Sequence, residues 1–129
     1  LVRSASAGGN YLLNVGPTAL GEIVPTHAER LRGVGKWLKN NGESVYGTRA
    51  GAIAPTAVTV STRKGDTHYL HVLDNTSDCV TIPALPEGVT NAHLLNGGAA
   101  VDIIKRDNKV LLSIPEGLRD PINTVVVLS

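Results

Sequence analysis

The chain has 129 residues, 42% hydrophobic and 18% charged, with a formal net charge of +1. That balance suits one modest core, or a small core plus an appendage, and offers no charge field for gripping nucleic acid or an anionic membrane. One Trp, three Tyr and no Phe supply few platforms for stacking sugars or bases, and the single cysteine, Cys79, excludes an intramolecular disulfide.

No apolar run approaches the ~20 residues that span a bilayer. The opening Leu1-Val2-Arg3, with neither Met nor a signal peptide, reads as a processed or truncated polypeptide. Residues 1–7 read as the tail of a helix stopped by Gly8-Gly9, since consecutive glycines supply a left-handed end. Tyr11-Leu12-Leu13-Asn14-Val15 is apolar on both faces apart from Asn14, which predicts a strand covered on both sides, and Gly16-Pro17 breaks it. Thr26 stands three residues before Glu29, the spacing of a capping box at a helix start. Ala28, Leu31, Val34 and Leu38 then form one helical stripe. Gly33 and Gly35 each cost about 1 kcal/mol inside a helix, so close packing on a flat neighbour such as a sheet is expected there. Asn40-Asn41-Gly42 is the expected stop.

From about Ala50 the apolar period changes to two. Val58 and Val60 alternate with polar residues, as do Leu70 and Val72, and Arg63-Lys64-Gly65-Asp66 between them reads as a hairpin turn. Further strands are predicted over 79–82, 92–95, 101–104, 110–114 and 124–128. They are separated by turn clusters at Asn75-Thr76-Ser77-Asp78, Pro86-Glu87-Gly88, Asn96-Gly97-Gly98 and Arg106-Asp107-Asn108. Seven short strands without helical interludes predict a mainly β protein: an antiparallel β-sandwich, residues 50–129, preceded by one βα unit, residues 1–49. One strand and one helix cannot bury their apolar faces on each other alone. The unit is therefore expected to belong to a larger sheet or barrel, or to make the chain a homo-oligomer.

The chemistry-bearing residues carry little. His68 and His71, three apart on a strand, face opposite ways and make no metal clamp, and His27 and His93 read as surface or packing residues. Glycosidic cleavage needs two carboxyl groups about 5–10 Å apart, and no acidic pair qualifies. Glu29 has a capping role, while Asp66, Asp74, Asp78, Asp107 and Asp120 fall in or near turns. Cys79 and the serines lack a neighbouring His or a nucleophile elbow. Asn75-Thr76-Ser77 matches a glycosylation acceptor, and Gly8-Gly9-Asn10 lacks the ending of a phosphate loop. Asn14 has two readings: a substrate-binding residue at the C-terminal end of a barrel strand, or a tie for the Gly16-Pro17-Thr18 loop.

Three stretches taken together resemble the end of the catalytic barrel of glycoside hydrolase family 29, the α-L-fucosidases. They are Gly8-Gly9-Asn10-Tyr11-Leu12-Leu13-Asn14-Val15-Gly16-Pro17-Thr18, Arg30-Leu31 through Gly35-Lys36-Trp37-Leu38, and Asn41-Gly42-Glu43-Ser44-Val45-Tyr46-Gly47-Thr48-Arg49. Thr62-Arg63-Lys64-Gly65, Tyr69-Leu70-His71-Val72-Leu73 and Asp120-Pro121-Ile122-Asn123-Thr124-Val125 are similar to that family's C-terminal β-sandwich. The resemblance implies retaining hydrolysis of terminal α-L-fucose on fucosylated glycans, through a covalent intermediate on an Asp with a separate acid/base, and no metal or organic cofactor. Both carboxyl groups normally lie upstream of anything matching residues 1–49, so neither role falls on a residue of this chain. The expectation is the C-terminal part of a fucosidase with a structural or assembly role. The rivals are a stand-alone carbohydrate-binding sandwich and a miniature fucosidase whose site, built from Glu22, Glu29 or Glu43, assembles between subunits.

Overall fold

The computed structural model describes residues 1–74, 76–77, 79–115 and 117–129. The glycosylation acceptor Asn75 and the turn residue Asp78 lie outside the described residues. Helix α1 spans Val2–Ser6, α2 spans Pro25–Asn41, and a 3₁₀ turn follows at Gly42–Ser44. The strands are β1 (Arg49–Ala50), β2 (Thr59–Lys64), β3 (Thr67–Val72), β4 (Cys79–Ile82), β5 (Ala92–Leu94), β6 (Asp102–Arg106), β7 (Lys109–Ser113) and β8 (Thr124–Leu128). Among the described residues no helix is long and apolar enough to cross a membrane.

Gly8, at φ +73°, stops α1, and the Gly9 N–H donates to the Ser4 carbonyl at 2.9 Å, the six-residue closure that a left-handed C-terminal glycine permits. Residues 11–15 form no strand. They carry no regular structure, and Tyr11, Leu12 and Leu13 are 49%, 92% and 43% exposed. A strand needs a neighbour to accept its ladder, and none is beside this segment among the described residues. The capping box does not form either. Val24 is the N-cap, Pro25 takes the first helical position, and neither Thr26 nor Glu29 makes a side-chain cap bond. Proline's fixed φ starts the helix two positions earlier than the Thr–Glu spacing suggests.

Every strand expected from residue 50 onward is present, and 79–82 and 124–128 match residue for residue. Two antiparallel sheets face each other, ordered β1-β2-β3-β8-β5 and β4-β7-β6. The β2–β3 turn tightens onto Gly65-Asp66, with Arg63 and Lys64 still paired to His68 and Thr67. β6 and β7 join through Asp107 and Asn108, both at positive φ, the backbone that matches the twist of a two-residue hairpin. β1 already pairs with β2 at Arg49 and Ala50, so the sheet begins where the period of two was expected to begin.

The main core fills the space between the sheets. Leu70, Val72, Val126 and Leu128 of the larger sheet meet Val80, Ile82, Leu112 and Ile114 from the other side. In the smaller sheet β4 and β7 alternate buried with more exposed positions, as a one-sided sheet does, while β6 at its edge has no buried residue. The larger sheet does not: all five residues of β8 are buried, and so are the last five of β3. Its outer face carries a second cluster, Tyr69, Val125 and Val127, covered by Trp37 of α2 and by Leu95. That burial on both faces explains the unbroken Val125-Val126-Val127-Leu128 run. Behind β1, the Gly51 N–H donates to the Ser61 carbonyl at 3.0 Å, and the Ser61 hydroxyl bridges the N–H and C=O of Ile53.

Candidate functional site

The C-terminal end of α2 lands on the outer face of the larger sheet, and the polar groups trapped there are joined in one network. Trp37 donates its indole N–H to the Asn123 carbonyl at 3.3 Å. Buried Asn41, in the last turn of α2, donates to the Trp37 carbonyl at 3.0 Å and accepts from the Asn96 side chain at 2.9 Å. Ser44 donates to the Asn41 carbonyl at 2.6 Å, and Thr62 of β2 donates to the Ser44 carbonyl at 2.6 Å. Nε2 of His71 lies 3.3 Å from Thr62 Oγ1, and Nδ1 lies 3.1 Å from Asn123 Nδ2. At the margin the Tyr69 hydroxyl donates to Glu43 at 2.7 Å.

Register explains why these residues meet. Directly opposed residues of an antiparallel sheet share a face, so the pairs Val60–His71, Thr62–Tyr69, His71–Val125 and Tyr69–Val127 all project outward toward α2. Burial sets the electrostatics. Loss of solvent pushes His71 down to about 4, against smaller upward pulls from the Ser44 backbone and the Asn123 side chain. Burial together with the Glu43 partner raises Tyr69 to about 12. His68, on the other face of β3, is lowered by burial and by the nearby Arg63 cation. The network orients and holds. It contains no pair of free carboxyl groups, since Glu43 is engaged by Tyr69.

Asn14 sits on the irregular 11–15 segment, exposed and without a hydrogen-bond partner among the described residues. It does not tie the following loop. Thr18 does, its hydroxyl accepting from the Leu20 and Glu22 N–H groups at 3.3 and 3.2 Å and its backbone N–H donating to the Glu22 carbonyl at 2.8 Å. Glu22 and Glu29 are exposed. Asp120 caps the turn into β8, accepting from the Ile122 and Asn123 N–H groups at 2.8 and 3.1 Å. Among the described residues no group of three His, Cys, Asp or Glu side chains is placed to hold a metal ion. An open depression of about 650 Å³ lies between the 83–89 loop and the β6–β7 turn, and none of its described lining residues is aromatic.

Sequence reasoning missed the buried joint at the end of α2. Two signals pointed toward it: the only Trp lies beside the helical stripe, and β8 is apolar at every position but its first.

Comparison with known proteins agrees with this architecture. Residues 1–43 match the family model described as Alpha-L-fucosidase. Human tissue alpha-L-fucosidase is 59% identical over 49 residues, 38% of this chain and 10% of that protein. The alpha-L-fucosidase of Branchiostoma floridae is 46% identical over 77 residues, 57% of this chain and 17% of that protein. Alpha-L-fucosidase isoenzyme 1 from Paenibacillus thiaminolyticus superposes with a TM-score of 0.86 at 36% identity, over 99% of this chain and 32% of that one. The Thermotoga maritima alpha-fucosidase gives a TM-score of 0.87 at 29% identity, also over 99% and 32%. The chain thus spans about a third of the length of these solved enzymes. From its first helix to its last strand, it matches the carboxy-terminal portion of the family 29 α-L-fucosidases.

Proposed function

We propose that the chain acts as the closing segment of a retaining α-L-fucosidase, in which its sandwich grips the end of a barrel helix and the remaining barrel packs against the free flank of that helix. The observation that supports this reading is the contrast between the two sides of α2. One side is fastened to the sandwich through Trp37, Asn41 and Ser44, which bond Asn123, Asn96 and Thr62. On the other, Ala28, Leu31 and Leu38 stay half-buried, a methyl group added at Gly35 would meet nothing within 4 Å, and Leu12 upstream is almost wholly exposed. An apolar stripe next to an open glycine is what a helix presents when its flat neighbour belongs to another part of the assembly.

In the completed enzyme the substrate is the terminal α-L-fucose of a fucosylated glycan. The nucleophile and the acid/base come from the upstream barrel, and Asn14 approaches the sugar from the segment after α1. Retaining hydrolysis requires two carboxyl groups about 5–5.5 Å apart. Here Glu43 is engaged by Tyr69, and Glu22 and Glu29 are solvated on the loop and helix start. Where the chain stands alone, its open apolar flank drives self-association into a homo-oligomer. The depression beside the β6–β7 turn, lacking aromatic lining, does not favour a stand-alone sugar-binding role.

The test is hydrolysis of an aryl α-L-fucoside by the purified chain, with its intact mass confirmed in the same sample. No turnover is expected. Turnover that survives repurification and tracks the 129-residue mass would overturn the reading. Light scattering on the same sample is expected to report an oligomer, and a strictly monomeric species would sink the self-association.

A further inference from the structure

Strand β6 is a free edge of the smaller sheet, and none of its five residues is buried. The two-residue hairpin at Asp107-Asn108 closes on the hydrogen-bonded pair Arg106–Lys109. Arg106, Ile104 and Asp102 therefore turn their N–H and C=O groups toward β7. Ile103 and Lys105 turn theirs to the opposite side. Val101 already uses that side, its N–H donating to the Ala92 carbonyl at 3.0 Å, but β5 belongs to the other sheet and does not continue beside β6. The outward backbone groups of Ile103 and Lys105 have no partner among the described residues.

The side chains on this edge are self-complementary. Ile103 packs inward on the core, so Asp102, Ile104 and Arg106 project from the outer face of the sheet. Ile104 is 38% exposed, with half-buried Leu111 opposite it on β7. When a second β6 runs antiparallel with the two Ile104 residues opposed, Leu111 and Ile104 of both copies form one apolar row across the axis. On either side of that row Asp102 of one copy stands opposite Arg106 of the other. An apolar centre with a paired, charged rim is the make-up of an interface rather than of a solvated edge. The same register satisfies the backbone, since Ile103 of each copy exchanges both ladder bonds with Lys105 of the other. A lysine on the inward side of an edge strand commonly bars a neighbour. Here Lys105 lines the open depression beside the 83–89 loop, along with Glu87, so its ammonium stays in water while a strand pairs with its backbone.

We propose that β6 is a dimerisation edge: two copies of this chain pair β6 antiparallel about a two-fold axis at Ile104, joining their smaller sheets into one. A five-residue ladder is a small contact, so the dimer is weak and exchanges with monomer. The edge belongs to the sheet opposite the one that α2 covers, and the pairing does not rest on the fucosidase reading.

Opposed residues at a non-hydrogen-bonded position lie about 4.5 Å apart at Cα, a span that a disulfide bridges. In a Cys79→Ser chain, Ile104→Cys is expected to form a disulfide-linked dimer under mild oxidation, read by intact mass. The linkage is expected to be about tenfold faster than for Lys105→Cys or Arg106→Cys, whose counterparts across the axis are other residues. Asp102→Arg and Arg106→Asp, each added to Ile104→Cys, set like charges against each other and are expected to slow the linkage to the rate of those controls. Mixing the two sets arginine against aspartate at both ends and is expected to restore it, as a heterodimer identified by mass. Two variants that had merely folded poorly would not rescue each other, and association through the α2 flank favours no cysteine position over another. Equal rates at the three cysteine positions overturn the proposal. So does a mixture that links no faster than either variant alone.

Discussion

At Gly51 a methyl group would enter the space held by the carbonyl and hydroxyl oxygens of Ser61, the carbonyl being the one that the Gly51 N–H already uses. Gly51→Ala must push β2 away from the 51–53 segment. It is expected to cost about 1–3 kcal/mol, the usual range for overpacking, read as a lowered urea midpoint. His71 acts through protons rather than volume. Its folded pKa, about 4, lies below the ordinary 6.5, so between those values the unfolded chain binds more protons than the folded one. Stability accordingly falls as pH drops from about 6.5 toward 4 and levels off below. The full loss is about 3 kcal/mol, since each tenfold difference in proton affinity between the folded and unfolded chain is worth about 1.4 kcal/mol. Denaturation curves at pH 7, 5.5 and 4.5 are expected to show that slope, and His71→Gln is expected to flatten it.

Helix α2 carries two glycines that nothing in the structure requires. Both stand at negative φ in the helix interior with open space beyond them. Gly33→Ala and Gly35→Ala are each expected to raise the thermal stability of the isolated chain by about 0.5–1 kcal/mol, the helix propensity difference. Gly35 lies on the open flank, so Gly35→Ala is also expected to weaken whatever docks there, which light scattering at matched concentration would detect. The elements also show what a sequence can convey. The sandwich strands are legible because alternation and turn residues are local, and both report a half-buried surface directly. The start of α2 misleads because Pro25 and the Thr26–Glu29 spacing compete, and proline's fixed φ wins. The strand expected at 11–15 fails for another reason: its apolar residues call for a covering neighbour, and none is beside the segment among the described residues. The buried joint is nearly invisible, since Asn41, Ser44, Thr62 and Asn123 look like surface residues until α2 lands on them.

On the scale of the whole molecule, the N-terminal 24 residues contribute no buried side chain. Leu12, 92% exposed, is the clearest case. Leu12→Asp is expected to leave the unfolding midpoint within about 0.5 kcal/mol of the parent, as for surface substitutions generally, while reducing self-association. The sandwich depends instead on its far end. β8 lies between β3 and β5, with every residue buried, yet it follows both in the chain. The larger sheet can therefore close only once β8 has been synthesised. Until then the nascent chain holds β3 and β5 with open edges, and the larger sheet matures only after the strands it joins have already been translated.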